Sequence, residues 1–421
     1  MLPMYPVYLM YLFTSCTPCS PLTPCTLFRK NNNNSITTNN RTMDFSLNKR
    51  EELFLQMIRK FAAEEVQPLA AEVDDQERFP IETVEKMAKI GIMGIPIPVE
   101  YGGQGGTNQM YIMAVEELSK VCATTGVIVS AHTSLCMNPI LEFGTEEQKQ
   151  KYLPKLASGE WIGAFGLTEP NAGTDAAMQQ TTAVLDGEEW VLNGSKIFIT
   201  NAGYAHVYVI MAMTDKSLGT KGISAFIVEK GTPGFSIGKK EKKMGIRGSA
   251  TCELIFENCR IPKANLLGEL GKGFKIAMMT LDGGRIGIAS QALGIAQGAL
   301  DATVKYTKER KQFGKTLAQF QNTQFQMANL ETKIQAARML VRQAAWKKDM
   351  HLPYSVDAAM AKLYCAETAM ETTTKCVQFH GGYGYTREYE VERMMRDAKI
   401  TEIYEGTSEV QRMVIAGKLF K

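Results

Sequence analysis

Histidine is scarce in this chain, and the four present (His132, His206, His351 and His380) are scattered, with no HExxH pair. Outside the first 43 residues there is also no CxxC; within them, Cys16 and Cys19 stand in a plain CTPC. A zinc or other metal site therefore has no ligand pattern to stand on. The six cysteines beyond residue 43 (Cys122, Cys136, Cys252, Cys259, Cys365 and Cys376) lie far apart in a large chain, which favours reduced thiols over a disulfide framework. No run approaches the ~18 apolar residues that would span a bilayer. No GxGxxG follows a strand-like segment, which removes the usual dinucleotide fingerprint. Gly314-Lys315-Thr316 looks like the end of a phosphate loop, but the position that would open that loop is Glu309. Excess charge is missing as well. Of 47 basic residues, three (Arg29, Lys30 and Arg41) fall in residues 1–43, which hold no acid, so 44 basic residues balance 44 acidic ones in the rest. A body without net charge or basic clusters is not built to neutralise nucleic-acid phosphates.

What is present is length and punctuation. At 421 residues the chain exceeds what one hydrophobic core holds, so several domains are expected. Residues 1–43 join a short apolar stretch to an asparagine tract too polar to fold. They read as a disordered leader, acid-free and Ser/Thr-rich as a mitochondrial transit peptide is. Residues 44–162 read as helical, with helix-forming segments near 50–71, 80–90 and 110–121 separated by Gly/Pro stretches. From 163 to 272 come closely spaced β-prone runs (TTAVL, WVL, KIFIT, HVYVIMAM, ISAFIV, CELIF), with Asn193-Gly194 as a hairpin signal. Strands without intervening helices point to an antiparallel sandwich or barrel. Residues 273–421 return to the helical period. Ile288, Ala292, Ile295, Ala299 and Ala302, then Leu330, Ile334, Ala337, Val341 and Ala344, mark the apolar stripes of a bundle expected to have four helices.

Several segments carry polar chemistry on turns. FGLTEPNAGTD, residues 165–175, is either an ordinary loop or a flat wall of hydroxyls and backbone N–H groups for a planar heterocycle. KIFITN could present Phe198 to such a ring or bury it in a sheet. Arg310 could be a solvated surface group or a bidentate partner of a pyrophosphate. QFHGG, residues 378–382, is a helix end where backbone can approach a ligand. In IYEGTSE, Glu405 lies between Ile403-Tyr404 and Gly406. In a dry cleft, desolvation would raise its pKa and make it a usable base.

Taken together and in this order, FGLTEPNAGTD, WVLNGSKIFITNA, KGISAFIVEK, MGIRGSA, TLDGGRIGIASQALGIAQGALD, QFHGGYGY and RDAKITEIYEGTSEVQR resemble the acyl-CoA dehydrogenases. The likeness runs through residues 44–421 and is nearest to the short-chain (butyryl-CoA) branch. It implies an α+β multidomain fold: an N-terminal helical domain, a central β-domain and a C-terminal helical bundle. It implies FAD-dependent oxidation of an acyl-CoA thioester to the trans-2-enoyl-CoA, with Glu405 removing the α-proton while the flavin accepts the β-hydrogen. By the same likeness, Phe165, Gly166, Leu167, Thr168, Glu169, Thr174, Phe198, Ile199 and Thr200 line the flavin. Arg310, Phe313 and Gln321, with Gln378, Phe379, His380, Gly381 and Gly382, hold the adenosine and pyrophosphate half, partly across a subunit interface. Thr407, Ser408 and Glu409 follow the active-site turn on the cofactor side. Thr174, Asp282, Gly283, Gly284, Arg285 and Gly406 contact substrate. The resemblance also implies a homotetramer, electron-transfer flavoprotein as electron acceptor and a mitochondrial-matrix location.

Two positions depart from the family's habits. Phe198 stands where Trp is common, and Met279 where animal short-chain enzymes carry Gln at the floor of the acyl pocket. In some branches the base lies at the position of Gly284, which has no side chain to serve. A branched short-chain dehydrogenase and a non-catalytic FAD-binding assembly factor are the alternative readings.

Overall fold

The computed structural model describes residues 46–420. The leader expected at 1–43 lies outside them. Asn48 starts the first helix, α1 (Lys49–Phe61), by a reciprocal cap in which its side chain accepts from the Glu51 N–H and the Glu51 carboxylate accepts from the Asn48 N–H. The helical path continues through a π turn (Ala62–Val66) and a 3-10 turn to α2 (Ala70–Asp75). Pro68 has no N–H to donate, so the regular ladder is interrupted there. Then come α3 (Ile81–Lys89), α4 (Asn108–Val121), α5 (Ala123–Ser130), α6 (Asn138–Phe143) and α7 (Glu146–Ala157). Between α5 and α6 the helix widens into a π segment, Ala131–Met137, buried at every position. Such segments are rare and often mark functional sites.

The middle of the chain forms one eight-stranded sheet: β1 (Gly163–Gly166), β2 (Thr182–Asp186), β3 (Glu189–Ile199), β4 (Val207–Met213), β5 (Ile223–Glu229), β6 (Phe235–Lys240), β7 (Cys252–Pro262) and β8 (Leu266–Leu267). Its order is β6-β7-β3-β2-β4-β5-β8, with β1 also on β4. The all-antiparallel arrangement expected from short strands needs correction, because β1 runs parallel to β4 and β2 touches β4 in parallel. The β2–β3 hairpin is inserted between β1 and β4, which gives them the long connection that parallel neighbours need. Strand β4 is buried at all seven positions. Val207, Val209 and Met211 face a cluster shared with the helices, while Tyr208, Ile210 and Ala212 face the opposite core, as period-two alternation dictates.

The hairpin signal at Asn193-Gly194 is overturned. Strand β3 runs straight through it, and the tight turn is Gly187-Glu188, with Asp186 paired to Glu189. Gly194 instead sits at φ 138° beside a register shift against β7. A methyl group there would lie 2.7 Å from the Thr181 Cα. The glycine marks a bulge with a close backbone approach, which is the other local reason for glycine in a strand.

The C-terminal part holds α8 (Gly273–Glu309), a small hairpin of β9 (Lys311–Gln312) and β10 (Lys315–Thr316), α9 (Gln321–Asp349), α10 (Ser355–His380), α11 (Val391–Lys399) and α12 (Ser408–Leu419). The stripe Leu330, Ile334, Ala337, Val341 and Ala344 is buried, as are Ile288, Ala292, Ile295 and Ala299, while Ala302 at the end of its stripe is half-buried against the same core; the 3.6-residue period marks the core faces. Helix α10 packs against α8, α9, α11 and α12. The place of a fourth long helix is taken by two short ones, and the break between them carries Glu405. No helix of the described residues is long and apolar enough to cross a membrane.

Candidate active site

The chain leaves α11 through a 3-10 turn, Ile400–Glu402, and then takes two consecutive left-handed residues, Glu405 at φ 53° and Gly406 at φ 91°. Glycine tolerates that conformation; a glutamate pays on the order of 1–2 kcal/mol for it. The turn is held by its carbonyls. Lys362 Nζ, on α10 and wholly buried, donates to the Gly406 carbonyl at 2.7 Å. Gln411 Nε2 donates to the same oxygen at 2.8 Å and to the Glu405 carbonyl at 3.2 Å. The Thr407 hydroxyl caps α12 by accepting from the Val410 N–H, Ser408 is buried and Glu409 is exposed. The Glu405 N–H donates to no protein acceptor among the described residues.

This backbone points the Glu405 carboxylate at α8. Its Oε2 is shielded from solvent and has no hydrogen-bond partner. A methyl group on Gly284 would fall 2.0 Å from that oxygen and 2.8 Å from Leu135 Cδ2. Gly284 thus vacates the volume the carboxylate fills, and the π segment supplies Leu135 as an apolar wall. Burial pushes the Glu405 carboxyl up to about 8, while the charges of Lys362 and Arg285 act to hold it down. The same burial pushes the Lys362 ammonium down to about 8, against the pull of Glu405. Arg285 is buried on α8 and donates to the Asp282 carboxylate at 2.6 Å, leaving its Nε without a partner. Gly283 and Gly284, between them, are buried too. Met279, expected at the pocket floor, is 45% exposed.

A second group of expected residues surrounds the end of β3. Phe165, Gly166 and Leu167 are buried, Thr168 is half-buried and Thr174 is exposed. Phe198 is held outward, 59% exposed at φ 60°, where the β3–β7 register breaks. A large aromatic in left-handed backbone and open to solvent is costly on both counts and marks a surface prepared for a flat partner. Thr200 beside it is half-buried. Two of the residues expected to line the flavin have their side chains buried inside the sheet domain. Ile199 is 3% exposed in the sheet core, on the face opposite Phe198. The Glu169 carboxylate is turned inward, accepting from Lys196 Nζ at 2.6 Å and from the backbone N–H groups of Gln180 and Thr181.

Lys196 is itself fully buried and also donates to the Leu167 carbonyl and Gln179 Oε1, so this ion pair ties the loop to the strand that presents Phe198. Removing the ammonium would strand a buried carboxylate. Lys196→Met is expected to cost about 3–5 kcal/mol of stability, read as a lowered thermal midpoint in calorimetry.

The third group gathers at the end of α10. Arg310, Gln378, Phe379, His380, Gly381 and Gly382 line one hollow of about 450 Å³ together with Tyr306, Tyr383 and Thr386. The His380 ring is stacked on Tyr306 with centroids 4.1 Å apart, and the Arg310 guanidinium lies over Tyr383. Methyl groups on Gly381 or Gly382 would meet nothing within 4 Å, so the rim is open. Phe313 and Gln321 are not part of this hollow: Phe313 is 93% exposed at the tip of the β9–β10 hairpin, and Gln321 is exposed at the start of α9.

Lys362, Lys196 and Gln411 carry no signal of these roles in the sequence. A lysine inside an apolar helix or strand reads as a solvated side chain, and only the fold reveals the carbonyl or carboxylate it meets. The left-handed pair at Glu405-Gly406 had one local signal, the glycine.

The chain is similar to known proteins over nearly all of its described residues. It matches the acyl-CoA dehydrogenase N-terminal domain over residues 48–160, the middle domain over 164–259 and the C-terminal domain over 271–420. A short-chain-specific acyl-CoA dehydrogenase of Clostridium acetobutylicum is 64% identical over 379 residues, covering 90% of this chain and 100% of that protein. The mitochondrial short-chain-specific enzyme of Homo sapiens is 51% identical, covering 88% of this chain and 90% of its own. The solved butyryl-CoA dehydrogenase of Megasphaera elsdenii is 53% identical with a TM-score of 0.89, covering 90% of this chain and 100% of that one.

Proposed function

The chain belongs to the acyl-CoA dehydrogenase family and oxidises acyl-CoA thioesters with FAD as its cofactor, and from that premise we propose that Glu405 accepts the α-proton of a short, straight acyl chain. The observation that carries this reading is one carboxylate oxygen, Glu405 Oε2: shielded from solvent, unpaired and packed against the bare Cα of Gly284. A carboxylate in water is far too weak a base for a thioester α-proton, and burial closes part of that gap. The unengaged Glu405 N–H would complete it by donating to the thioester oxygen as negative charge develops there; one such donor contributes about 3–4 kcal/mol. Lys362 and Gln411, by occupying the turn's carbonyls, keep that N–H aimed.

The residues present fit FAD. An exposed aromatic at Phe198 offers a face for a fused ring, and the open hollow with Arg310 and the 378–382 backbone offers a cation and a cradle for a pyrophosphate. When bound, FAD supplies the two-electron acceptor for the β-hydrogen. The protein's own share is to hold substrate and base in register and to keep water away from the carboxylate.

Proton abstraction requires ionised Glu405. With the carboxyl raised to about 8, the ionised fraction is small at pH 6 and grows as pH climbs through 8. Flavin reduction at limiting acyl-CoA is therefore expected to rise with pH and level off above 8. Lys362 lies within the electrostatic reach of Glu405, Arg285, Glu402 and Glu409, and its positive charge lowers the Glu405 pKa. Lys362→Met should move the rise to higher pH and slow reduction at pH 7 by about tenfold, the equivalent of one pH unit. Stopped-flow reduction from pH 6 to 9.5 checks both; a Lys362→Met profile superimposable on the wild type would remove the lysine from the account.

The finer features of assembly and setting are proposed as well. A homotetramer is supported by the exposed Phe313, by Phe325 at 59% exposure and by a hollow lined from residues 306–386 without any part of the Phe198 wall. Sedimentation equilibrium tests it. Electron-transfer flavoprotein as acceptor rests on the family likeness. The mitochondrial matrix is supported by the acid-free residues 1–43, although relatives occur in bacteria as well as in mitochondria. A fluorescent-protein fusion to residues 1–43 reads out that address.

A further inference from the structure

Below Glu405, on the side away from solvent, α8 carries a second bare position one turn on. A methyl group on Gly287 would meet Ser130 Oγ at 2.3 Å and Tyr111 Oη at 2.5 Å. Gly284 and Gly287 are three residues apart and share a helix face, so the carboxylate and these hydroxyls lie along one line over the same helix. The Glu405 turn opens outward, with Ile403 50% exposed, whereas Tyr111 and Ser130 are 2% and 0% exposed. The two hydroxyls are bonded to each other, and the backbone that carries Ser130 is tied as well. Tyr111 Oη donates to Ser130 Oγ at 3.2 Å, and the Ser130 carbonyl accepts from Ser134 Oγ at 2.7 Å. Leu135 flanks the line at the level of Gly284.

We propose that the Tyr111–Ser130 hydroxyl pair, seated over Gly287, is the stop that sets acyl-chain length in this enzyme, so that its substrates are acyl groups of about four carbons. This rests on Glu405 being the base, which fixes the substrate's α-carbon at the level of Gly284. Three residues of helix rise put Gly287 about 4.5 Å along the helix from Gly284, the length of roughly three further carbon–carbon bonds. A butyryl chain ends within that span. A hexanoyl or octanoyl chain would have to force the tyrosine off its serine partner, leaving two buried hydroxyls unsatisfied. A tyrosine on α4 and a serine at the end of α5 thus read the end of the acyl chain without touching its reacting carbons.

The test compares anaerobic flavin reduction by butyryl-, hexanoyl- and octanoyl-CoA in the wild type, Tyr111→Ala and Tyr111→Phe. Tyr111→Ala should raise the octanoyl-to-butyryl rate ratio by about tenfold or more, since even a methylene-sized change in a pocket commands about that much. Tyr111→Phe keeps the ring packing and removes only the hydroxyl, so it should raise the hexanoyl-to-butyryl ratio several-fold even if the alanine variant fails to fold. As a readout without turnover, octanoyl-CoA should bind Glu405→Gln/Tyr111→Phe more tightly than Glu405→Gln by calorimetry. Ratios unchanged in variants that retain FAD, with wild type still reduced by butyryl-CoA, would overturn the stop and leave the base assignment standing. A wild type left oxidised by all three thioesters would overturn the proposed function, and the stop with it.

Discussion

Glu405→Gln is expected to purify with FAD bound and to bind butyryl-CoA, yet to lose about two to four orders of magnitude in the rate of flavin reduction, the span a positioned base contributes. The substitution is nearly isosteric, so the left-handed turn and its bonds from Lys362 and Gln411 to the carbonyls have no reason to change. A neutral amide in the same volume needs no proton and suffers less from desolvation than a carboxylate, so the folded state should be at least as stable. Loss of rate with retained cofactor, retained ligand and an unchanged melting temperature would place the defect on the proton transfer. Near-normal reduction would move the base elsewhere.

The second large effect comes from one methyl group. Gly284→Ala adds a Cβ 2.0 Å from Glu405 Oε2 and 2.9 Å from its Cδ, and neither contact can persist. The carboxylate must retreat by about an ångström, which on catalytic geometry costs on the order of a hundredfold in rate. Stability should move the other way. Gly284 lies inside α8, where alanine is favoured over glycine by up to about 1 kcal/mol. Leu135 Cδ2, the other close atom, is the end of a flexible side chain. An enzyme that melts no lower than wild type but reduces its flavin about a hundred times more slowly is the expected result. A Gly284→Ala enzyme with wild-type rates would mean that the carboxylate works from a position other than the one seen here.

Much of this was legible in the sequence, and unevenly so. The bundle stripes were legible because a helix repeats its burial every 3.6 residues whatever it packs against. Strand β4 showed as HVYVIMAM but not its pairing, since a strand buried on both faces carries no alternation to orient it. Asn193-Gly194 misled because the same glycine serves a turn or a bulge, and only the neighbouring Thr181 decides between them. Glu405 was visible through its apolar and glycine neighbours, yet its desolvation depends on Gly284, more than a hundred residues away. Ile199 and Glu169 turned inward because the strand alternates faces and because Lys196 was already buried, facts that only the assembled sheet supplies. Phe313 and Gln321 lie apart from the hollow in a single chain, so any role in holding a cofactor would have to be played toward a neighbouring copy.

The central claim is that the Glu405 carboxylate, held against Gly284, takes the proton from the substrate's α-carbon. Its most direct test is isotopic: butyryl-CoA incubated anaerobically in deuterium oxide with stoichiometric wild-type or Glu405→Gln enzyme, with deuterium at the α-carbon followed by mass spectrometry. The wild type should wash deuterium into the α-position, and Glu405→Gln should leave it protonated over the same time. Exchange by Glu405→Gln at the wild-type rate would contradict the account.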